Sequence, residues 1–261
     1  MPKLTAVHAR IEDGALAPPE SVDVAVLSPP YFQRDGYHSG LMEGLGFMLG
    51  QALKQGGRAF MVFGQVKEAL ARPFEAAHLL ARGSLDSEKL VQCQTIIWVK
   101  SLAIDGVTRG HYQPINSPQL VNYSHEYVFQ FVKGDPDKAR PLNRLALGVP
   151  FADKTNLTRG TRGKHGDLHC RGDVWFIPQP TTGANAKKLH RHSFPLQLAL
   201  NCLALADIGP GQVVMDPFIG GGTSALAAFQ VGADFWGQDA DKKAVAGVKT
   251  AWANLGGEVT P

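Results

Sequence analysis

Two short stretches of this 261-residue chain hold residue types and spacings that could do chemistry. The first is Ser28-Pro29-Pro30-Tyr31. An amino group conjugated to an aromatic ring is a poor nucleophile, because its lone pair is drawn into the ring. To react at nitrogen it needs acceptors that hold both N–H bonds and pull the nitrogen toward tetrahedral geometry. Ser28 Oγ and the Pro29 carbonyl are candidates for those acceptors, and consecutive prolines stiffen the loop so that the carbonyl's direction is fixed in advance. Tyr31 offers a face on which a planar ring could stack. Such a site needs no covalent enzyme intermediate, so positioning supplies much of the rate.

The second stretch is Asp216-Pro217-Phe218-Ile219-Gly220-Gly221-Gly222-Thr223. Strand, glycine-rich turn and helix together let backbone approach a nucleotide closely at a helix N-terminus. Thr223 and Ser224 stand where N-capping side chains belong. The triplet does not match G-x-G-x-x-G and lacks the lysine of a phosphate-binding loop. Phe218, entering the turn, could cover an adenine or a sulfonium group. Asp239 ends the next predicted strand, where a carboxylate could accept from both hydroxyls of a ribose.

The elements that must position these stretches follow from apolar patterning. Val22 to Leu27 is a short β-branched run ending at the tetrad, and it predicts a buried strand. Residues 44–55 carry helical spacing that stops at Gly56-Gly57. Strands are predicted over 58–63, 95–100 and 127–132, with a helix over 66–82. In the C-terminal part a helix over 194–206 with Pro195 in its first turn precedes a strand over 212–215. A helix over 224–231 and a strand over 234–239 follow. Alternating strands and helices imply an α/β protein built on a doubly wound sheet.

Between Gly134 and Arg171 the periodicity fades, and Pro136, Pro141, Pro150 and five glycines break any long element. This segment reads as a small, basic, loop-rich insertion. The chain divides accordingly into 1–133, the insertion 134–171, and 172–261. Net charge is only +3, so the whole-chain balance is silent about partners. No signal-peptide run and no 18-residue apolar stretch occur. Three cysteines without C-x-x-C spacing argue against a disulfide scaffold or a zinc ribbon and fit a reducing cytoplasm. His165, His169 and Cys170 lack a fourth partner, so no metal is expected. His190 and His192 read as helix-capping or cofactor-facing residues, and Trp98, Trp175 and Trp236 as core.

With both stretches in view, the sequence resembles the permuted (β-type) amino-methylating DNA methyltransferases. In that family an S-P-P-Y-type tetrad comes first and D-P-F-x-G-x-G-T comes last. Leu53-Lys54-Gln55-Gly56-Gly57-Arg58 is similar to the family's L-K-P-G-G-R turn, with Gln for Pro. Ile97-Trp98-Val99-Lys100, His125-Glu126-Tyr127-Val128-Phe129, Gly172 to Pro178 and His192-Ser193-Phe194-Pro195 extend the likeness along nearly the whole chain. The resemblance implies a Rossmann-like, S-adenosylmethionine-dependent methyltransferase fold with a doubly wound mixed sheet in circularly permuted order. It makes 1–133 a catalytic half and 172–261 a cofactor-binding half. By the same resemblance Ser28, Pro29, Pro30 and Tyr31 are catalytic. Asp216, Pro217, Phe218, Gly220, Gly222 and Thr223 line the cofactor pocket, Asp239 binds its ribose in place of the more usual Glu, and Phe194 and Pro195 flank its methionine end. An acid ahead of the tetrad strand contacts the adenine, with Glu12 and Asp13 both candidates.

A serine at the first tetrad position is associated, in that family, with cytosine N4 more than with adenine N6. Double-stranded DNA is the expected substrate, its target base flipped out onto Tyr31. The insertion is the expected target-recognition element, with its densest cluster at Arg159, Arg162, Lys164 and His165 placed to neutralise phosphates and read guanine edges. A restriction-modification setting in a bacterial or phage-infected cytoplasm fits. An RNA amino-methyltransferase, a non-catalytic relative and a nicotinamide oxidoreductase are the competing classes. The motif order disfavours the first, the retained motifs the second and the glycine pattern the third. A homodimer is left open.

Overall fold

The computed structural model describes residues 1–14, 17–31, 38–65, 72–110, 118–152, 168–178 and 193–260. Its strands are β1 (Lys3–His8), β2 (Val22–Leu27), β3 (Leu53–Phe63), β4 (Leu90–Val99), β5 (Ser101–Ile104), β6 (Val107–Gly110), β7 (His125–Lys133), β8 (Val149–Pro150), β9 (Leu168–His169), β10 (Val174–Phe176), β11 (Val213–Asp216), β12 (Asp234–Asp239) and β13 (Glu258–Val259). The helices are α1 (Ser39–Ala52), α2 (Pro73–Gly83), α3 (Leu196–Leu205), α4 (Thr223–Gln230) and α5 (Lys242–Asn254).

Nine strands form one sheet in the order β10-β4-β7-β3-β2-β11-β12-β1-β13. Neighbours are parallel except that β7 runs antiparallel to both β3 and β4. This is the expected mixed α/β sheet. One face is covered by α1 and α2, whose Leu45, Leu49, Ala77 and Leu80 pack against Ala25, Leu27 and Met61. The other is covered by α3, α4 and α5, whose Leu198, Cys202, Ala228, Val248 and Trp252 pack around Val24, Val26, Val214 and Phe235. Strand side chains alternate between the two layers, which is why β2 is apolar on both faces from Val24 to Leu27.

The connection leaving β2 passes to α1 on one face, and the connection leaving β11 passes to α4 on the other. Because β2 and β11 are parallel neighbours (Val24 opposite Val214, Ala25 opposite Met215), the winding reverses between them. A crevice outside the carboxyl ends of strands at such a reversal is where open α/β sheets bind ligands.

Several element boundaries differ from the expectation. α1 covers 39–52, and residues 53–55, expected to finish that helix, already belong to β3 together with the expected Gly56-Gly57 stop. The register against β2 jumps from Val22–Leu53 to Val24–Arg58, so 54–57 form a bulge. Gly56 sits at φ +74°, and a Cβ on Gly57 would lie 2.8 Å from the Lys54 carbonyl. The glycine pair therefore shapes a bulge and does not end a helix. α2 begins at Pro73, and residues 66–71 of its expected span lie outside the described residues. Pro195 caps α3 from just outside the first turn. β1, α5 and the β5–β6 hairpin were not anticipated, while β10 is the strand expected around Trp175.

Within 134–171 the described part is turns plus the two-residue pairing of β8 with β9, loop-rich as expected. Its neighbouring cation Lys133 is fully buried, donating to the Leu53 carbonyl at 2.9 Å and to Glu20 at 3.3 Å. Lys138 pairs with Asp135 and Arg140 with Asp207. The expected contact cluster Arg159, Arg162, Lys164 and His165 lies outside the described residues, as do His190 and His192. Trp98, Trp175 and Trp236 are core residues. Among the described residues no group of His, Cys, Asp and Glu could hold a metal ion, and no helix is long and apolar enough to cross a membrane.

Candidate active site

Ser28 follows the last residue of β2, so the tetrad begins at the carboxyl end of a central strand. Pro29 is buried, and Ser28, Pro30 and Tyr31 are half-buried. The Tyr31 ring rests on Phe63 from the end of β3, with centroids 4.6 Å apart and planes 36° apart. That contact backs one side of the ring. The hydroxyl lies 3.0 Å from Ser28 Oγ, 3.2 Å from the Val62 carbonyl and 3.4 Å from Glu126 Oε2. Burial, and after it the negative charge of Glu126, hold the Tyr31 phenol well above its ordinary range. Glu126 in turn accepts from Lys100 Nζ at 2.6 Å through its other oxygen. Neither Glu126 nor Lys100 was foreseen as part of the site.

The glycine turn leaves β11 one strand away. Asp216 is buried. Its Oδ1 accepts from the Phe218 backbone N–H at 2.9 Å, and its Oδ2 accepts from the Ser224 hydroxyl. Burial pushes the Asp216 carboxyl up to about 7. Asp216 therefore braces the turn from inside, and Ser224, expected as a possible N-cap, serves as its partner. The residue at the helix N-cap is Gly222, with φ +81°, a left-handed conformation suited to glycine, and Thr223 is the first helical residue. A Cβ on Gly222 would lie 2.8 Å from Val248 Cγ2 of α5. Above Gly220 a Cβ would make one ordinary contact, at 3.8 Å with the Phe218 carbonyl, so that side of the turn is uncrowded.

Asp239, at the end of β12, reaches back to the turn: Oδ2 accepts from the Gly220 N–H and Oδ1 from the Asp241 N–H, each at 2.8 Å. Each carboxylate oxygen keeps further lone-pair capacity. Gly237, the β12 residue beneath the turn, is also constrained, since a Cβ there would meet Ile219 at 2.5 Å. Phe218 is half-buried, while Phe194 and Pro195 are buried, Phe194 within the α3 core layer. The two acids considered ahead of β2 go separate ways. Asp13 is exposed and accepts from the Arg10 N–H at 2.8 Å, and Glu12 pairs at 3.1 Å with His38, which caps α1.

The structure thus brings the tetrad and the glycine turn to the same end of adjacent parallel strands, across 190 residues of sequence as spanned by the Asp23–Val213 hydrogen bond. The open sheet, wound in opposite senses on either side of β2 and β11, is of the Rossmann-like class. TTHA0409 of Thermus thermophilus, solved in complex with S-adenosyl-L-methionine, aligns at TM-score 0.63 and 22% identity over 100% of both chains. PvuII DNA methyltransferase (cytosine-N4-specific) aligns at TM-score 0.64 and 15% identity, over 98% of this chain and 94% of that one. The family model for N6/N4-type DNA methylases matches residues 22–250, and the chain belongs to that family. Type II methyltransferase M.BglII of Bacillus subtilis is 27% identical over 124 residues, 46% of this chain, and the match spans 34% of the length of that relative.

Proposed function

We propose that the protein transfers a methyl group from S-adenosyl-L-methionine to the exocyclic amino group of a base in double-stranded DNA, the base being cytosine and the position N4. The observation that carries this reading is the placement of Ser28 and the Asp216–Thr223 turn side by side at the β2/β11 reversal.

The residues of the turn suit the cofactor. The backbone is uncrowded above Gly220, Phe218 is available to cover an adenine, and Asp239 is held by two backbone N–H groups with lone pairs to spare for two ribose hydroxyls. Bound there, S-adenosyl-L-methionine supplies an electrophilic methyl group. Ser28 Oγ and the Pro29 carbonyl accept the two amino N–H bonds, and the Tyr31 ring, backed by Phe63, stacks on the flipped base. Holding the amino group in this way is the protein's main contribution to rate. Pro195 and Phe194 flank the methionine end, and Asp13 or Glu12 faces the adenine.

Residues 134–171 are assigned to target recognition, with Arg159, Arg162, Lys164 and His165 on the DNA. The ranges 1–133 and 172–261 carry the amino-group and cofactor sides of one sheet, except that β1 lies between β12 and β13 on the cofactor side and β10 pairs with β4 at the opposite edge. By the family resemblance, a serine in place of Asp or Asn at position 28 favours cytosine. The alternative, adenine N6, uses the same two acceptors.

The test is mass spectrometry of nucleosides from duplex DNA and from RNA incubated with the protein and the cofactor. 4-Methylcytosine from DNA is expected. 6-Methyladenine would overturn the choice of base, and a methylated RNA nucleoside alone would overturn the choice of nucleic acid.

A further inference from the structure

A nearly buried ion pair stands behind the tetrad. Lys100 follows β4, and Glu126 lies opposite Trp98 at the start of β7. Their side chains are only 14% and 16% exposed, a degree of burial that charged groups rarely reach without a purpose-built partner. Lys100 Nζ occupies Oε1 at 2.6 Å and also sits 5.7 Å from the centre of the Trp98 ring. Oε2 is left facing the Tyr31 hydroxyl at 3.4 Å.

We propose that Glu126, held by Lys100, is a positioning residue that orients the Ser28–Tyr31 hydrogen bond so that Ser28 Oγ presents only lone pairs to the incoming amino group. This rests on the reading of the tetrad as an amino-methylating site. Counting hydrogens leads to it. Tyr31 has a single hydroxyl hydrogen, and two groups that can only accept lie within its reach, the Val62 carbonyl at 3.2 Å and the Glu126 carboxylate. With the hydrogen directed there, the Tyr31 oxygen turns a lone pair toward Ser28, 3.0 Å away. Ser28 then donates its only hydrogen to Tyr31. A serine hydroxyl left to rotate could instead aim that hydrogen at the substrate N–H, which would repel it. An ionised carboxylate makes a stronger acceptor than a carbonyl, so Glu126 sets the polarity more firmly than Val62 does. The raised Tyr31 phenol agrees with this role, since only a protonated phenol can donate. The chain of contacts crosses β4, β7, β3 and β2 in sheet order, and no contiguous motif contains it.

The experiment compares wild type, Tyr31→Phe, Glu126→Gln and the double variant in single-turnover methyl transfer at saturating cofactor and DNA. Calorimetric affinities for S-adenosyl-L-methionine and duplex are measured alongside. Phe keeps the stacking ring and removes only the relaying hydroxyl. Each single variant is expected to lose about ten-fold in rate, with both affinities within about two-fold of wild type. The double variant should be no slower than the slower single one. Wild-type rates in the single variants, or losses that multiply in the double, would overturn the proposal. If Glu126→Gln does not fold, Tyr31→Phe decides alone. The Tyr31 Cζ resonance in 13C-tyrosine-labelled protein, assigned by its loss in Tyr31→Phe, should shift in Glu126→Gln, and an unmoved resonance also counts against the proposal. A wild-type protein that methylates neither DNA nor RNA would overturn the proposed function, while the resonance would still report on the hydrogen bond.

Discussion

Gly64 sets the clearance between Tyr31 and Glu126. A Cβ at that position would lie 2.9 Å from Tyr31 Cε2 and 3.1 Å from Glu126 Cδ, so the tetrad ring and the carboxylate behind it meet only because residue 64 has no side chain. Gly64→Ala is expected to push the ring off its place, with an overpacking cost of about 1–3 kcal/mol and a clear fall in methyl transfer. Melting temperature and transfer rate measured together check this, and an alanine variant with wild-type rate would show that the ring position is not critical. Ser28 and Tyr31 were legible in the sequence because they are contiguous and of unusual type. Glu126, Lys100, Val62 and Gly64 were not, because strand pairing brings them together laterally from three strands and each looks like ordinary strand-end sequence. In the sequence Glu126 reads only as part of a strand.

Among the elements, the glycine turn is fixed on three sides: by Asp216 beneath it, by Asp239 at Gly220, and by α5 against Gly222. Gly222→Ala would place a Cβ 2.8 Å from Val248 while forcing a left-handed residue, a conformation that costs about 1–3 kcal/mol away from glycine. The variant is expected to bind S-adenosyl-L-methionine at least about ten-fold more weakly by calorimetry, a loss of roughly 1.4 kcal/mol. Unchanged affinity would mean that the turn tolerates displacement. The strands β2, β11 and β12 and the helices α3 and α4 were readable within a residue or two, since dense apolar runs and glycine punctuation coincide there. The Gly56-Gly57 pair misled, because a bulge and a helix stop use the same residue type. α5 carries a readable signal, since Val245, Val248 and Trp252 recur on one face after the N-cap Asp241. The β5–β6 hairpin, with exposed Ile104 and Val107, carries no burial pattern to read.

At the scale of the whole molecule, the order of motifs along the chain is unlike their order in space. The fold reconciles them by laying β11 against β2 and β1 beyond β12. The order was legible; the position of β1 on the far side of the cofactor strands was not, because a short edge-side strand is placed by pairing and not by its own sequence. Asp216, inside this junction, links stability to pH. Its folded carboxyl is pushed up to about 7 from an ordinary 3.8, so the folded state binds a proton that the unfolded chain releases between those values. The resulting stabilisation is full below the lower value and lost as pH rises through the upper one. Asp216→Asn should therefore gain in melting temperature relative to wild type between about pH 5 and about pH 8, and a constant difference across that range would contradict the assignment.

The central claim is that the tetrad and the glycine turn form one methyl-transferring site. Incorporation of tritiated methyl from S-adenosyl-L-methionine into duplex DNA tests it most directly, in wild type and in Tyr31→Ala. Transfer by wild type and loss of transfer in Tyr31→Ala, with cofactor affinity retained, are the predicted results. Transfer persisting in Tyr31→Ala, or no incorporation by a wild-type protein that binds the cofactor, would contradict it.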